Sequence, residues 1–123
     1  MLTWLFNLLR LPIEPVEEDE LGDPRDCGCT RSGHWPALRA EHLEKHPRCV
    51  ACGGKEQLEV HHRIPVSQRP QLELDPTNLI TLCEANSCHF VIGHLCSWRS
   101  WNPRVFEDAT KLHQKIEARP CTD

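Results

Sequence analysis

Cysteines and histidines fall along this chain at spacings that can hold two metal ions of different character. Cys49 and Cys52 form a C-x2-C pair, and Cys83 and Cys88 form a C-x4-C pair further along. Two sulfur pairs on separate turns are what a closed tetrahedral zinc site requires, and a shell of four thiolates leaves no position for water. Between and beside these cysteines lie His61, His62, His89 and His94. Imidazoles can hold an ion that keeps open positions, and one with a pKa near neutral can also act as a base. A closed zinc site beside an open, histidine-bound divalent ion points to hydrolysis rather than to binding alone. The competing reading is free thiols buried in a core, which is the expectation for Cys96 and Cys121, since neither has a partner at suitable spacing.

The elements that must position these residues follow from periodicity and from proline. Leu2, Leu5, Phe6, Leu8 and Leu9 suggest a short amphipathic helix over residues 1–11, docked on its own domain or on a partner rather than on a membrane. Acids and prolines from Pro12 to Pro24 mark a linker, and Cys27-Gly-Cys29 at its end is a weak metal signal. Trp35 to Lys45 reads as a helix with Pro36 near its start and Pro47 beyond its end. Cys49 to Gly54 reads as a tight knuckle whose glycines permit the turn. Leu58 to Ile64 and Leu79 to Leu82 read as strands, with a polar loop over residues 66–77 between them. A helix should begin near Ser87 and run through Phe90, Val91, Ile92 and Leu95; the Trp98–Pro103 segment breaks it, and Val105 to Ala118 offers one more helix. Trp98 and Trp101 are expected as core anchors rather than base-stacking platforms.

With 123 residues the chain has the length of one domain. The expected division is an apolar segment and acidic linker over 1–30, a domain over 31–119 and a tail over 120–123. Hydrophobic residues make up 39%, aromatics only 6% and tyrosine is absent, so the core should be thin and in need of a staple such as zinc. Eight cysteines would also suit a secreted disulfide framework. The run from Met1 to Arg10, however, lacks a basic leader and a cleavage site and is too short to span a bilayer. The expectation is a cytoplasmic, reducing compartment with thiolates available for metal, and no membrane contact. The formal charge of −4 belongs mostly to the N-terminus: residues 1–29 hold seven acids against Arg10 and Arg25, a net of −5, which leaves +1 elsewhere. Charge therefore argues neither for nor against a nucleic-acid partner.

His61 and His62 are neighbours in an expected strand, so their side chains should point to opposite faces and serve different purposes. His34, His42, His46 and His113 carry no motif and are read as structural. The string Leu58-Glu-Val-His61-His62-Arg-Ile-Pro65, followed by Asn78-Leu-Ile-Thr-Leu-Cys83 and Cys88-His89, resembles the HNH endonuclease family. The stretch Arg31-Ser-Gly-His-Trp35 with Cys49-Val-Ala-Cys52-Gly53 resembles the helix and first knuckle of its cysteine-bearing branch, so the resemblance covers about residues 31–103. It implies an α+β fold, a small ββα-metal finger with a structural four-cysteine zinc and flanking helices.

The resemblance also implies roles. His62 matches the general base that takes a proton from the attacking water, and Asn78 an asparagine that braces the loop and holds the histidine strand. His61 and His89 match ligands of a catalytic divalent ion, which these donors leave open as magnesium, manganese, nickel or zinc. His94 follows His89 by five residues and would lie about 140° around a regular α-helix from it, so it joins the ligands only if Gly93 distorts that turn. Arg63, Arg69 and Arg99 are either phosphate contacts or ordinary surface cations, with Arg63 carried forward as the substrate contact. The function implied is metal-dependent hydrolysis of DNA, with DNA as partner. The alternative is a zinc-bound nucleic-acid or protein interaction module of the same fold that has lost catalysis.

Overall fold

A computed structural model describes residues 31–119. The expected N-terminal helix and linker, Cys27, Cys29, Cys121 and the tail lie outside the described residues. The architecture is small and α+β: helix α1 (Trp35–Lys45), an antiparallel pair β1 (Leu58–His62) and β2 (Leu79–Cys83), a five-residue π-helix (His89–Gly93), and helix α2 (Val105–Ala118).

Proline sets the limits of α1. Pro36 occupies the first turn, where no donor is missed, and Pro47 follows the C-cap His46. The chain then turns through the knuckle, where the Cys49 N–H donates to the Gly54 carbonyl at 2.8 Å and the Gly53 N–H to the Cys49 carbonyl at 2.9 Å. Gly53 sits at φ +76, a conformation that favours glycine. The knuckle is tied to the sheet by the Val50 N–H donating to the Thr81 carbonyl at 3.0 Å.

The register pairs His61 with Ile80 and His62 with Leu79. All five residues of β2 are buried, which makes it the axis of the core. Ile80, Leu82 and Val105 are its largest fully enclosed apolar side chains, packed with Ala51, Ala109, Cys49, Cys83 and Cys88. Asn78 and Thr81 are as deeply enclosed as these residues, so the apolar core is as thin as the composition suggests. Asn102 stitches the π-helix to α2, its amide donating to the Ile92 carbonyl at 3.0 Å and to the Asp108 carboxylate at 2.8 Å.

Four expectations are corrected. The helix expected from Ser87 onward is the short π-helix, ended by Leu95 and Cys96 in left-handed conformations (φ 52 and 63). The loop over 66–77 carries two 3₁₀ turns, Pro70–Leu72 and Pro76–Asn78, the second capped by Asp75 accepting from the Thr77 N–H. Cys96 is exposed rather than buried, because the left-handed turn carries it away from the core. Trp98 is 60% exposed and anchors nothing in the core.

Candidate metal centres and active site

The four sulfurs of Cys49, Cys52, Cys83 and Cys88 lie within 4.8 Å of one another. Cys52 Sγ and Cys83 Sγ are 3.5 Å apart, close to the roughly 3.8 Å edge of a tetrahedral zinc–sulfur shell. All four cysteines are free. Burial acts against the Cys52 thiolate, but the Asn86 amide and the Gly54 N–H, each 3.4 Å from its sulfur, help bring its pKa down to about 7. Burial pushes the Cys49 and Cys88 thiols up, Cys88 well beyond the ordinary thiol range. Enclosed sulfur gathered in this way suits a cation that draws off the protons, and the cluster can hold a metal such as zinc.

The second cluster is built on the other end of the same hairpin. His61, His89 and His94 offer nitrogens within 4.8 Å of one another, and His61 Nδ1 stands 3.2 Å from His89 Nε2. Two imidazoles on one tetrahedral zinc would place their nitrogens roughly 3.3 Å apart. His94 belongs to this group despite its five-residue offset because the intervening turn is a π-helix, whose hydrogen bonds span five residues instead of four. Gly93 makes room, since a Cβ there would meet His61 Cε1 at 3.1 Å and His89 Cδ2 at 3.3 Å.

Outer partners aim these rings. His94 Nδ1 is 2.8 Å from the Ser100 carbonyl, which can only accept, so His94 carries its hydrogen there and presents Nε2 as a lone pair. His89 Nδ1 lies 2.5 Å from Glu84 Oε1, which likewise turns Nε2 toward the cluster. His61 Nε2 is buried without a hydrogen-bond partner among the described residues. Burial, then the neighbouring histidines, push the His61 pKa down to about 3. The three imidazoles can together hold a metal ion.

His62 points the other way from β1 and has a different environment. Its Nε2 is 2.9 Å from the Glu73 carbonyl, so Nε2 bears the hydrogen and Nδ1 the lone pair. Its ring packs against Trp35 at a centroid distance of 4.6 Å, and burial lowers its pKa from the ordinary value. Glu73 is itself held, its carboxylate accepting from the Ser32 N–H at 2.9 Å. Asn78 holds the loop: it accepts from the Ile64 N–H at 2.8 Å and donates to the Ile64 and Leu72 carbonyls at 3.0 and 3.2 Å.

His61, His62, His89 and His94 all line one pocket of about 300 Å³, and Arg31 lines it with them. Arg63 does not. Its guanidinium is buried over the Phe106 ring at 5.4 Å and lies 3.4 Å from the Thr77 carbonyl, because it follows His62 out of the strand toward α2. The cation brought to the pocket is Arg31, over the Trp35 ring at 5.5 Å. Glu84, Glu73 and Arg31 escaped the reading of the sequence. Glu84 had one signal, an acid next to Cys83 of the second cysteine pair. The Glu73 contact to His62 had none, since any residue supplies a carbonyl.

No curated protein and no solved structure matches this chain. Residues 49–91, which hold both cysteine pairs, His61, His62, Asn78 and His89, match the model of the HNH endonuclease family.

Proposed function

We propose that the chain is a metal-dependent endonuclease that hydrolyses DNA phosphodiester bonds, with His62 as general base. The observation that carries this reading is the opening of His62 and the three-imidazole cluster into one pocket. A divalent ion on His61, His89 and His94 would act as a Lewis acid on phosphoryl and leaving oxygens, and an all-imidazole donor set ranks nickel, zinc or manganese above magnesium.

The protein residues do the rest. Burial lowers the His62 pKa and so favours the neutral ring, whose Nδ1 can take a proton from water. The Glu73 carbonyl fixes the ring and favours the imidazolium once it forms, offsetting part of the burial cost. Arg31 opposes that imidazolium but supplies a positive charge for the phosphate. Asn78 keeps the loop that carries Glu73 in register with β1. The four-cysteine cluster, as a structural zinc site, fixes the knuckle against β2.

Nicking of supercoiled plasmid by wild type and His62→Ala, with each divalent ion in turn, tests the reading. Both proteins should hold one tight zinc, and the variant should be slower by about 10²-fold or more. If neither protein cuts with any ion while both are folded and zinc-loaded, the proposal fails.

A further inference from the structure

Trp98 combines two properties that rarely coincide: it is 60% exposed, and its ring packs on metal-site imidazoles. Its centroid is 4.8 Å from that of His94, 5.4 Å from His89 and 4.9 Å from Phe90. These three contacts leave Trp98 largely exposed. The loop that presents it is built rather than slack. The Ser97 N–H donates to the His94 carbonyl at 3.0 Å, and the Ser100 N–H to the Ser97 carbonyl at 2.9 Å. The Ser100 hydroxyl donates to the His94 carbonyl, and the Asn102 N–H to the Gly93 carbonyl at 3.0 Å. The same loop supplies the Ser100 carbonyl that orients His94. Arg99, the next residue along the chain, is exposed and adds a cation to the loop.

We infer that Trp98 forms a nucleobase subsite, on which the base next to the reacting phosphate stacks. The inference rests on the endonuclease reading for its substrate. An exposed aromatic side chain in contact with two residues of the phosphate-handling cluster, on a loop that also carries an exposed arginine, matches the alternation of base and phosphate along a nucleic-acid strand. Stacking is tolerant of base identity, so the subsite confers little sequence preference. It does confer a preference of form. A paired base has both faces covered by its neighbours, and only an unpaired or flipped base can lie on the indole. The substrate class is therefore single-stranded or locally unpaired DNA.

The test uses the full chain as wild type, Trp98→Ala and Trp98→Phe, with a labelled single-stranded 12-mer, the same strand with abasic sites, and its duplex. Anisotropy gives affinity, tryptophan fluorescence reports stacking, and cleavage of the labelled 12-mer gives KM and kcat. Loss of the indole should weaken binding of the 12-mer about tenfold and raise KM alike, with kcat and metal content little changed. Trp98→Phe should recover most of the affinity but lose the fluorescence quenching. The abasic strand and the duplex should bind wild type no better than the 12-mer binds Trp98→Ala. Equal affinity of wild type and Trp98→Ala overturns the inference. So does a Trp98→Ala that loses metal from the histidine site, which makes Trp98 a brace for His94. A Trp98→Ala that melts earlier with unchanged DNA affinity also overturns it, and makes Trp98 a stabilising contact of the fold. If wild type binds and quenches but never cuts the strand, the subsite stands and hydrolysis falls; if it cuts the 12-mer with KM indifferent to Trp98, the reverse holds.

Discussion

Asn78 is fully enclosed, and its amide serves three backbone groups across a loop. Asn78→Ala strands the Ile64 N–H and removes the donor to Ile64 and Leu72. A loss of about 2–4 kcal/mol is expected, visible as a lower denaturation midpoint. Asn78→Asp should rescue little, because it keeps the acceptor and loses the donor. Glu84 is tested more gently. Glu84→Gln can still accept from His89 but lacks charge, and affinity of the histidine site for nickel should fall by about 10- to 100-fold in calorimetric titration, with the cysteine-bound zinc unchanged. Most residues of the two clusters could be read from the sequence, because cysteine and histidine pairs at short spacing are rare and chemically specific. Glu84 and Arg31 were harder, since the chain has 18 acids and 14 bases and, beyond the place of Glu84 next to Cys83, nothing local separates a partner of the histidine cluster from a solvated charge. Arg63 misled for the same reason, its place next to His62 saying nothing of the direction in which it leaves the strand.

Among the elements, α1, both strands and α2 were legible because proline bounds the first helix and β-branched and apolar runs mark the strands. The π-helix was not. A five-residue offset on a regular helix puts His89 and His94 on different faces, and only the wider turn realigns them. Its end was equally hidden, because Leu95 and Cys96 adopt left-handed conformations without glycine. Gly93 is where the turn meets the cluster. Gly93→Ala forces a methyl toward His61 and His89, so metal binding at the histidine site should weaken at least severalfold. Circular dichroism and zinc content should stay near those of wild type; a wild-type affinity for nickel would show that the rings can give way.

At the scale of the molecule, a thin core and a four-cysteine cluster imply that metal and fold are linked. Structural zinc binds small domains with about 10–16 kcal/mol of apparent free energy, comparable to the whole stability of a domain this size. Stripping zinc with a strong chelator should therefore abolish the cooperative thermal transition, and re-addition should restore it. Cys88→Ser should do the same in part. The two clusters also meet along the chain. Cys83 faces the sulfur cluster while the next residue, Glu84, holds His89; Cys88 faces the sulfurs while the next residue, His89, faces the imidazoles. The segment 83–89 thus acts as a ruler with a mark for each cluster at either end. An inserted or deleted residue inside it would misplace both sets of donors at once. Lys55 and Glu56, exposed between the knuckle and β1, supply no donor to either cluster, so a change of length in that turn is expected to cost less than one in the ruler.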